Sequence, residues 1–594
     1  MQKRWLINQP EHERVLQLQQ ELKIHPVLCR MLVSRGIHTF DEAKLFFRPQ
    51  LEYLHDPFLM QDMRKAVERI QTAIRNEEKI LVYGDYDVDG TTSVALMYLF
   101  LSEFYNRVDY YVPHRYREGY GISKQGIDYA HENGCKLIIA LDCGIKAVEK
   151  VNYANELGID FIICDHHLPG DELPLAHAVL DPKRNDCNYP YKELSGCGIG
   201  FKLIQAFAQH NDIPFEVVEK YLDLVAVSIA SDIVPITGEN RVLAYYGVKR
   251  INENPRKGIK SLIETGKLKK ALTISDIVFV LGPRINAAGR MDDARNAVKL
   301  LISDTHELAT ENAELLNQNN TERKQVDKDI TAEALEMINE STELQKKKTT
   351  VLAQPHWHKG VIGIVASRLI ETWYRPTIVF TESNGMMTGS ARSVKGFNIH
   401  DAIKECSDLL EQFGGHMFAA GLSLKKENFE IFQQHFEEVV SATITEGSLT
   451  PEVVIDAELN FTDINERFFN IINQFAPFGP GNMKPVFVSH NVRDRGYSRI
   501  VGDDHLKLEL TQDEGRYCKG IAFGMGDLAG KIFHTGVEKR FDICYTLEEN
   551  EWQGIKNIEL NVKDIKLPDV SLIPSLQTME SVTESLNMKS DGNI

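Results

Sequence analysis

The chain has 594 residues, 43% of them hydrophobic and 26% charged, and a formal net charge of −18. That length predicts about three or four domains rather than one core, and the composition is that of an ordinary globular protein. No apolar run approaches the roughly 20 residues that span a bilayer, and Met1-Gln2-Lys3-Arg4-Trp5 lacks the apolar centre of a signal peptide. Nine scattered cysteines, including Cys143 and Cys164 beside acidic residues, make no disulfide framework and fit a reducing cytoplasm. The negative charge argues against coating nucleic acid non-specifically, but is compatible with an acidic metal centre and a local basic groove.

Residues 1–75 read as helical, punctuated by Pro26 and Pro49, and are expected to form an N-terminal cap. The apolar runs 80–83, 108–112, 137–141, 161–164 and 178–180 are each a strand length, with helical stretches such as 91–104 and 146–157 between most of them. This alternation, over a domain set at 76–306, predicts a parallel sheet covered by helices on both faces. Ligands of such sheets sit at the carboxyl ends of the strands. Residues 197–250 are mainly helical, and Pro235 leaves Asp232 near a helix end. The polar stretch 307–348, with Val326, Ile330 and Ile338 spaced by fours and eights, predicts a long exposed connecting helix.

A second α/β unit is expected over 349–454, with strands at 351–353 and 377–380 around a helix at 361–372. Gly-rich polar loops at 388–393 and 413–421 punctuate the rest of this unit. His356 and His358 flank Trp357, and either reach a cleft or pack as an aromatic turn. From 455 to 567, short alternating runs such as 486–488, 506–510 and 558–562 predict a small β-barrel or sandwich. The last stretch, 568–594, has five Ser, four acidic residues and one Lys, the signature of a disordered tail.

The chemistry gathers where apolar runs end. Gly84-Asp85-Tyr86-Asp87-Val88-Asp89-Gly90 follows 80–83, Asp142 follows 137–141, Asp165-His166-His167 follows 161–164, and Asp232 follows Ile229-Ala230. On an extended segment Asp85, Asp87 and Asp89 share a face, and on a tight loop they converge, helped by Gly84 and Gly90. Carboxylates that close together repel unless cations compensate them. A set mixing carboxylates and imidazoles suits Mn²⁺ somewhat better than Mg²⁺. One imidazole of the pair can meet a metal while the other meets a phosphate or a carboxylate. A Ca²⁺ loop is rejected, because Leu96 stands where its Glu belongs and a strand precedes it. Two divalent ions about 3.5–4 Å apart activate water and neutralise a phosphoryl group, so phosphodiester hydrolysis is the predicted chemistry. Neither a Gly-x-Ser-x-Gly elbow nor a phosphate-binding Gly-Lys-Ser/Thr loop accompanies these residues.

With these motifs the chain resembles the DHH phosphoesterase superfamily, and more narrowly the RecJ family of bacterial single-stranded-DNA exonucleases. The narrower likeness rests on the run from Gly282-Pro283-Arg284-Ile285-Asn286 to Arg290, on Trp357-His358-Lys359-Gly360, on Gly414-Gly415-His416, and on Phe478-Gly479-Pro480-Gly481-Asn482. It implies a DHH catalytic domain, a connecting helix, a DHHA1 domain and an OB-fold barrel. It further implies two Mn²⁺ ions, with Mg²⁺ as a substitute, held by Asp85, Asp87, Asp89, Asp142, His166 and Asp232, with Asp142 bridging. Asp142, His166 and His167 are the catalytic group it implies, His167 contacting the scissile phosphate or supporting the site. Arg290, Ser390, Arg392 and His416 are implied for binding the 5′ end and adjacent phosphates. The implied activity is 5′→3′ hydrolysis of single-stranded DNA to 5′-mononucleotides in repair and recombination, by a monomer. Single-strand-binding protein and a RecQ-type helicase are candidate partners. Some members carry a further C-terminal domain that this chain does not reach. The competing readings are a DHH phosphodiesterase of very short oligonucleotides or cyclic dinucleotides, and a scaffold built on an inactive nuclease fold.

Overall fold

A computed structural model of the chain describes residues 3–512, 515–534 and 539–568. These divide into two compact units, the larger comprising residues 45–451 and 475–483, the smaller residues 3–44, 452–474 and those from 484 onward. The tail expected to be disordered lies, after Pro568, outside the described residues.

The N-terminal reading needs correction. The chain begins with a strand, β1 (Arg4–Ile7), and only then forms helices His12–Leu22, Pro26–Ser34 and Phe40–Phe47. Trp5 and Ile7 pack against Val453, Ile455 and Cys544 of the smaller unit. Four residues are too few to display a period of two, so the strand had no legible pattern. Residues 3–44 therefore belong with the β-rich unit, and only 45–75 with the parallel sheet.

In the larger unit β2 (Lys79–Gly84), β3 (Val108–Tyr111), β4 (Cys135–Leu141), β5 (Asp160–Cys164) and β6 (Ala178–Leu180) form a parallel sheet in the order β3-β2-β4-β5-β6. Its central strands are apolar beyond their first residues, Lys79, Lys136 and Asp160 lying at their amino ends, because both faces are covered. Ile80, Val82, Leu137, Ile139 and Ile162 point into one core with the helices Val88–Ser102, Gly196–His210 and Leu222–Ser231. Leu81, Tyr83, Ile138, Ala140 and Phe161 point into the other with Lys124–Glu132 and Val148–Glu156. Each such Val, Leu, Ile or Phe side chain contributes about 1.5–3 kcal/mol through burial. The chain leaves β2 toward β3 and leaves β4 toward β5, in opposite directions. The crevice this opens beyond the carboxyl ends of β2 and β4 is where an open α/β sheet receives its ligand.

The connecting segment is one helix, His306–Glu340, about 50 Å long. It is not exposed all round. Ala309, Ala313, Leu316, Ile330, Ala334 and Ile338 are buried, and so is Asp327, which accepts from Arg368 Nε at 2.9 Å. Beyond it β7 (Thr350–Ala353), β8 (Thr377–Ser383), β9 (Met386–Arg392), β10 (Gln412–His416) and β11 (Ala419–Leu424) form a mixed sheet in the order β10-β11-β9-β8-β7, with helix Ile362–Thr372 packed on it. Residues expected in two Gly-rich loops thus form β9 and the β10–β11 hairpin. Met387, Gly389 and Ala391 alternate inward with Thr388, Ser390 and Arg392, a strand pattern that small polar residues disguise as a turn.

In the smaller unit β12 (Glu452–Ile455) pairs with β1, and β13 (Ala457–Glu458), β14 (Phe487–Asp494), β15 (Arg499–Val501), β16 (His505–Thr511), β17 (Tyr517–Ala522), β18 (Phe541–Trp552) and β19 (Ile555–Lys566) form one sheet. Its order is β13-β14-β18-β19-β17-β16-β15, and a further β14–β16 pairing closes five strands into a barrel. Closure, rather than a sandwich, removes most free edges. Among the described residues no helix is long and apolar enough to cross a membrane, and all nine cysteines are free and buried.

Candidate metal centre and anion pocket

The three aspartates after β2 occupy a strand-to-helix turn, not an extended segment, because the helix starts at Val88. Asp87 caps that helix, its Oδ1 accepting from Gly90 N–H at 3.0 Å. Asp89 lies in the first turn, its carboxylate receiving Gly196 N–H at 2.7 Å, Cys197 N–H at 2.8 Å and Ser228 Oγ at 2.7 Å. Asp85 accepts from Gly121 N–H at 3.2 Å through Oδ1, while its buried Oδ2 has no hydrogen-bond partner. Gly90 is required by close approach, since a Cβ there would stand 2.3 Å from the Asp85 carbonyl.

Asp142 follows β4 in the left-handed region at φ 60°, a conformation that turns its side chain out of the sheet. His166 Nε2 lies 3.2 Å from Asp142 Oδ1, 3.5 Å from Asp232 Oδ2 and 3.9 Å from Asp89 Oδ2. Yet neither ring nitrogen of His166 nor Asp142 Oδ1 has a hydrogen-bond partner. Ligand atoms of Asp142, His166 and His167, and of Asp89, His166 and Asp232, gather within 4.8 Å in two overlapping groups. Buried, mutually repelling and unsatisfied atoms of this kind fit divalent cations and little else.

The electrostatics agree. Burial, then the neighbouring carboxylates Asp87 and Asp89 respectively, hold Asp85 and Asp142 well above the usual carboxylate range. Burial, then Asp89 and Asp87, raise Asp232 to about 8. Burial also lowers His166, favouring the neutral imidazole that binds metals. Asp165 behaves differently. Burial alone would raise it, but the His167 Nδ1 contact at 2.7 Å with the charge of that ring, the Ile145 N–H and the charge of His166 bring it to about 2. His167, which burial would lower, is raised by that same carboxylate to about 8. His167 Nε2 meets Tyr120 Oη at 3.1 Å.

Asp232 ends the helix Leu222–Ser231, and Ile233 follows at φ 61°. Just beyond, Ile236 N–H donates to Pro480 C=O at 2.7 Å, and the Arg241 guanidinium binds the carbonyls of Phe475 and Ala476 at 2.8 and 2.9 Å. The Phe-Gly-Pro-Gly-Asn segment is thus a brace behind the Asp232 loop.

Next to the carboxylates lies a cavity of about 220 Å³ whose lining includes Tyr86, Arg115, Arg290, Lys359, Ser390 and Arg392. Tyr86, between Asp85 and Asp87, joins it to the cluster, and the Arg115 guanidinium sits 4.7 Å over its ring. Arg290 Nη1 donates to Gly360 C=O at 2.8 Å, and Arg392 Nη1 to Ser390 Oγ at 3.1 Å. Burial, then the charges of Arg115 and Arg392, push Arg290 down to about 9. Among the described residues no carboxylate pairs with Arg115, Arg290 or Arg392. Crowded cations with no carboxylate in direct contact make an anion pocket.

The sequence-predicted residues Arg290, Ser390 and Arg392 converge here. Arg392 projects from strand β9, so its backbone N–H serves the sheet and not an anion. His416, at the end of β10, is absent from the lining but feels the charges of Arg392 and His167. Trp357 and His356 both meet Glu333 of the connecting helix, at 2.8 and 3.0 Å, and so form a packed turn. Arg115 and Tyr120 escaped the sequence reading, although they follow the 108–112 run as the aspartates follow theirs.

This geometry has two measurable consequences. In metal-free protein the raised carboxyls bind protons at higher pH folded than unfolded. Their destabilisation is full above the folded values and fades as pH falls through about 8, the value for Asp232. Melting in a chelator is therefore higher at pH 6 than at pH 9, and the difference shrinks with Mn²⁺; a chelated protein more stable at pH 9 contradicts the cluster. Second, Ile233 is 63% exposed, so packing does not offset its left-handed backbone. Ile233→Gly gains roughly 1 kcal/mol in denaturant unfolding; a loss shows that the side chain stabilises the loop.

Residues 79–229 match the DHH family, N-terminal domain; 346–442 match the DHHA1 domain; and 455–564 match the RecJ OB domain. The chain is 37% identical over 574 residues to the single-stranded-DNA-specific exonuclease RecJ of Bacillus subtilis, spanning 96% of this chain and 71% of that one. It is 34% identical to RecJ of Escherichia coli, over 91% of this chain and 96% of that one. The crystal structure of RecJ in complex with Mn²⁺ from Thermus thermophilus superposes with a TM-score of 0.82 at 26% identity, covering 96% of this chain and 80% of that one. With its strand-end carboxylates, the DHH and DHHA1 units and the barrel all accounted for, the chain belongs to the RecJ family of single-stranded-DNA-specific exonucleases.

Proposed function

We propose that the protein is a single-stranded-DNA-specific exonuclease that hydrolyses phosphodiester bonds from the 5′ end and releases 5′-mononucleotides. The observation that carries this reading is the adjacency of two sites of opposite charge: the carboxylate cluster, and an arginine pocket reached across Tyr86. A cavity of about 220 Å³ suits a terminal phosphate. A strand seated with its 5′-phosphate there lays its next phosphodiester beside the cluster.

Asp85, Asp87, Asp89, Asp142, His166 and Asp232 would hold two Mn²⁺ ions, with Mg²⁺ as a substitute. When bound, the ions polarise water and the phosphoryl oxygens and offset the charge on phosphorus. The chain's own groups do the rest. Arg115, Arg290, Arg392 and Ser390 hold the 5′-phosphate through charge-assisted bonds, with His416 at the margin. Asp165 anchors Nδ1 of His167 and so holds that imidazole beside the cluster, where it supports the site. Water's oxygen joins phosphorus, the bond to the 3′ oxygen breaks, and that oxygen leaves with a proton. The next nucleotide then carries a fresh 5′-phosphate for the same pocket. A monomer of this kind would act in the cytoplasm on strands coated by single-strand-binding protein or opened by a RecQ-type helicase, in repair and recombination.

With Mn²⁺, a 5′-labelled single strand loses its label as mononucleotide at once, while a 3′-labelled one shortens progressively. Digestion from the 3′ end, or a preference for blunt duplex, contradicts the proposal. Arg392→Ala raises KM for a 5′-phosphorylated strand by about tenfold or more, the loss of one charged hydrogen bond, and changes it less for a 5′-hydroxyl strand.

A further inference from the structure

Tyr120 stands out among the residues around the cluster that the ligand set does not explain. It sits between Gly119 at φ 87° and Gly121 at φ 77°, a tight turn that lifts one side chain clear of the sheet. The foot of the turn is fastened. Gly121 N–H donates to Asp85 Oδ1, Gly121 C=O accepts from Tyr83 Oη at 3.0 Å, and Ser123 Oγ donates to Glu118 at 2.6 Å. Tyr83 is the structural tyrosine here, fully buried with its hydroxyl spent on backbone. Tyr120 is the opposite case: 54% exposed, with its hydroxyl 3.1 Å from His167 Nε2 and 3.5 Å from Asp142 C=O.

An imidazole held at one nitrogen can still swing about its side-chain bonds. Asp165 anchors His167 through Nδ1, and Tyr120 supplies the second point, on Nε2. The Tyr120 ring meets His167 and Tyr86 edge-on, each with centroids 6.0 Å apart. It also lines a larger cavity of about 720 Å³ with Lys359, Thr388, Gln412, Gly414 and Gly421. A half-exposed aromatic ring between a cavity of that size and the cluster offers a stacking face to a nucleobase.

We propose that Tyr120 is a positioning residue of the hydrolytic site: its hydroxyl holds His167 in register, and its ring receives a base of the entering strand. This rests on the single-strand exonuclease reading and assigns it two separable contributions. The test uses the full chain with Mn²⁺ and a 5′-phosphorylated single strand. Tyr120→Phe lowers kcat by about tenfold and leaves KM, the melting temperature and Mn²⁺ affinity as in the wild type. Tyr120→Leu lowers kcat similarly and raises KM by about tenfold, the loss of one stacked base. If the hydroxyl acts through His167, adding Tyr120→Phe to His167→Ala slows the reaction by no more than about twofold beyond His167→Ala alone. Wild-type kcat in Tyr120→Phe, or a full tenfold further loss in the double variant, overturns the positioning role. An unchanged KM in Tyr120→Leu overturns the stacking role. A wild-type chain that fails to digest the strand overturns the exonuclease reading itself, a result distinguishable from either.

Discussion

Repulsion among buried carboxylates is the constraint on which the rest of this structure depends. Asp89, Asp142 and Asp232 converge on the His166 imidazole, with Asp87 near enough to raise Asp85, Asp142 and Asp232, and Asp85, Asp89 and Asp142 are almost wholly removed from water. No fold assembles such a set for stability, because each charge raises the proton affinity of the others. The chain contains the repulsion in two ways. Backbone N–H groups of Gly90, Gly121, Gly196 and Cys197 are aimed at Asp87, Asp85 and Asp89. The oxygens and nitrogens left over, on Asp85, Asp142 and His166, are those positioned for cations. The topology supplies the place: the crevice where β2 and β4 send their chains in opposite directions opens directly under Asp85 and Asp142.

The second element is charge of the other sign, kept separate but close. The chain as a whole carries −18, yet Arg115, Arg290 and Arg392 crowd one cavity without a carboxylate among them. A bound anion relieves that crowding as a bound cation relieves the cluster. Tyr86 belongs to both, lying between Asp85 and Asp87 in the chain while lining the arginine cavity. The second α/β unit supplies Ser390 and Arg392 to the pocket from a strand, and the connecting helix, locked through Asp327 and Arg368, keeps that strand in range.

Much of this was legible in the sequence where periodicity was strong. Runs of branched residues ending in Asp or His marked β2, β4 and β5 and the ligands beyond them, since a strand buried on both faces has no polar interruption. The barrel showed through its alternation. Legibility failed where small polar residues do structural work: β9, read as a loop from Gly389, Ser390 and Ser393, is a strand whose inward Met387, Gly389 and Ala391 differ too little in hydropathy from Thr388 and Ser390 to display a period of two. β1 is too short to have a period, and its partner strand lies more than 400 positions away. Arg115 and Tyr120 were missed because β3 is an edge strand with a mixed run, Val108-Asp109-Tyr110-Tyr111, which advertises its carboxyl end poorly. The late Phe-Gly-Pro-Gly-Asn segment was legible as a family motif but not in its role, since bracing the Asp232 loop is a tertiary fact.

The central claim is that the buried carboxylates exist to hold divalent cations. Calorimetric titration of Mn²⁺ into the metal-stripped full chain tests it most directly. The expected result is two ions bound per chain, with Asp142→Asn weakening their binding. An absence of Mn²⁺ binding, or binding that Asp142→Asn and Asp232→Asn leave unchanged, contradicts it.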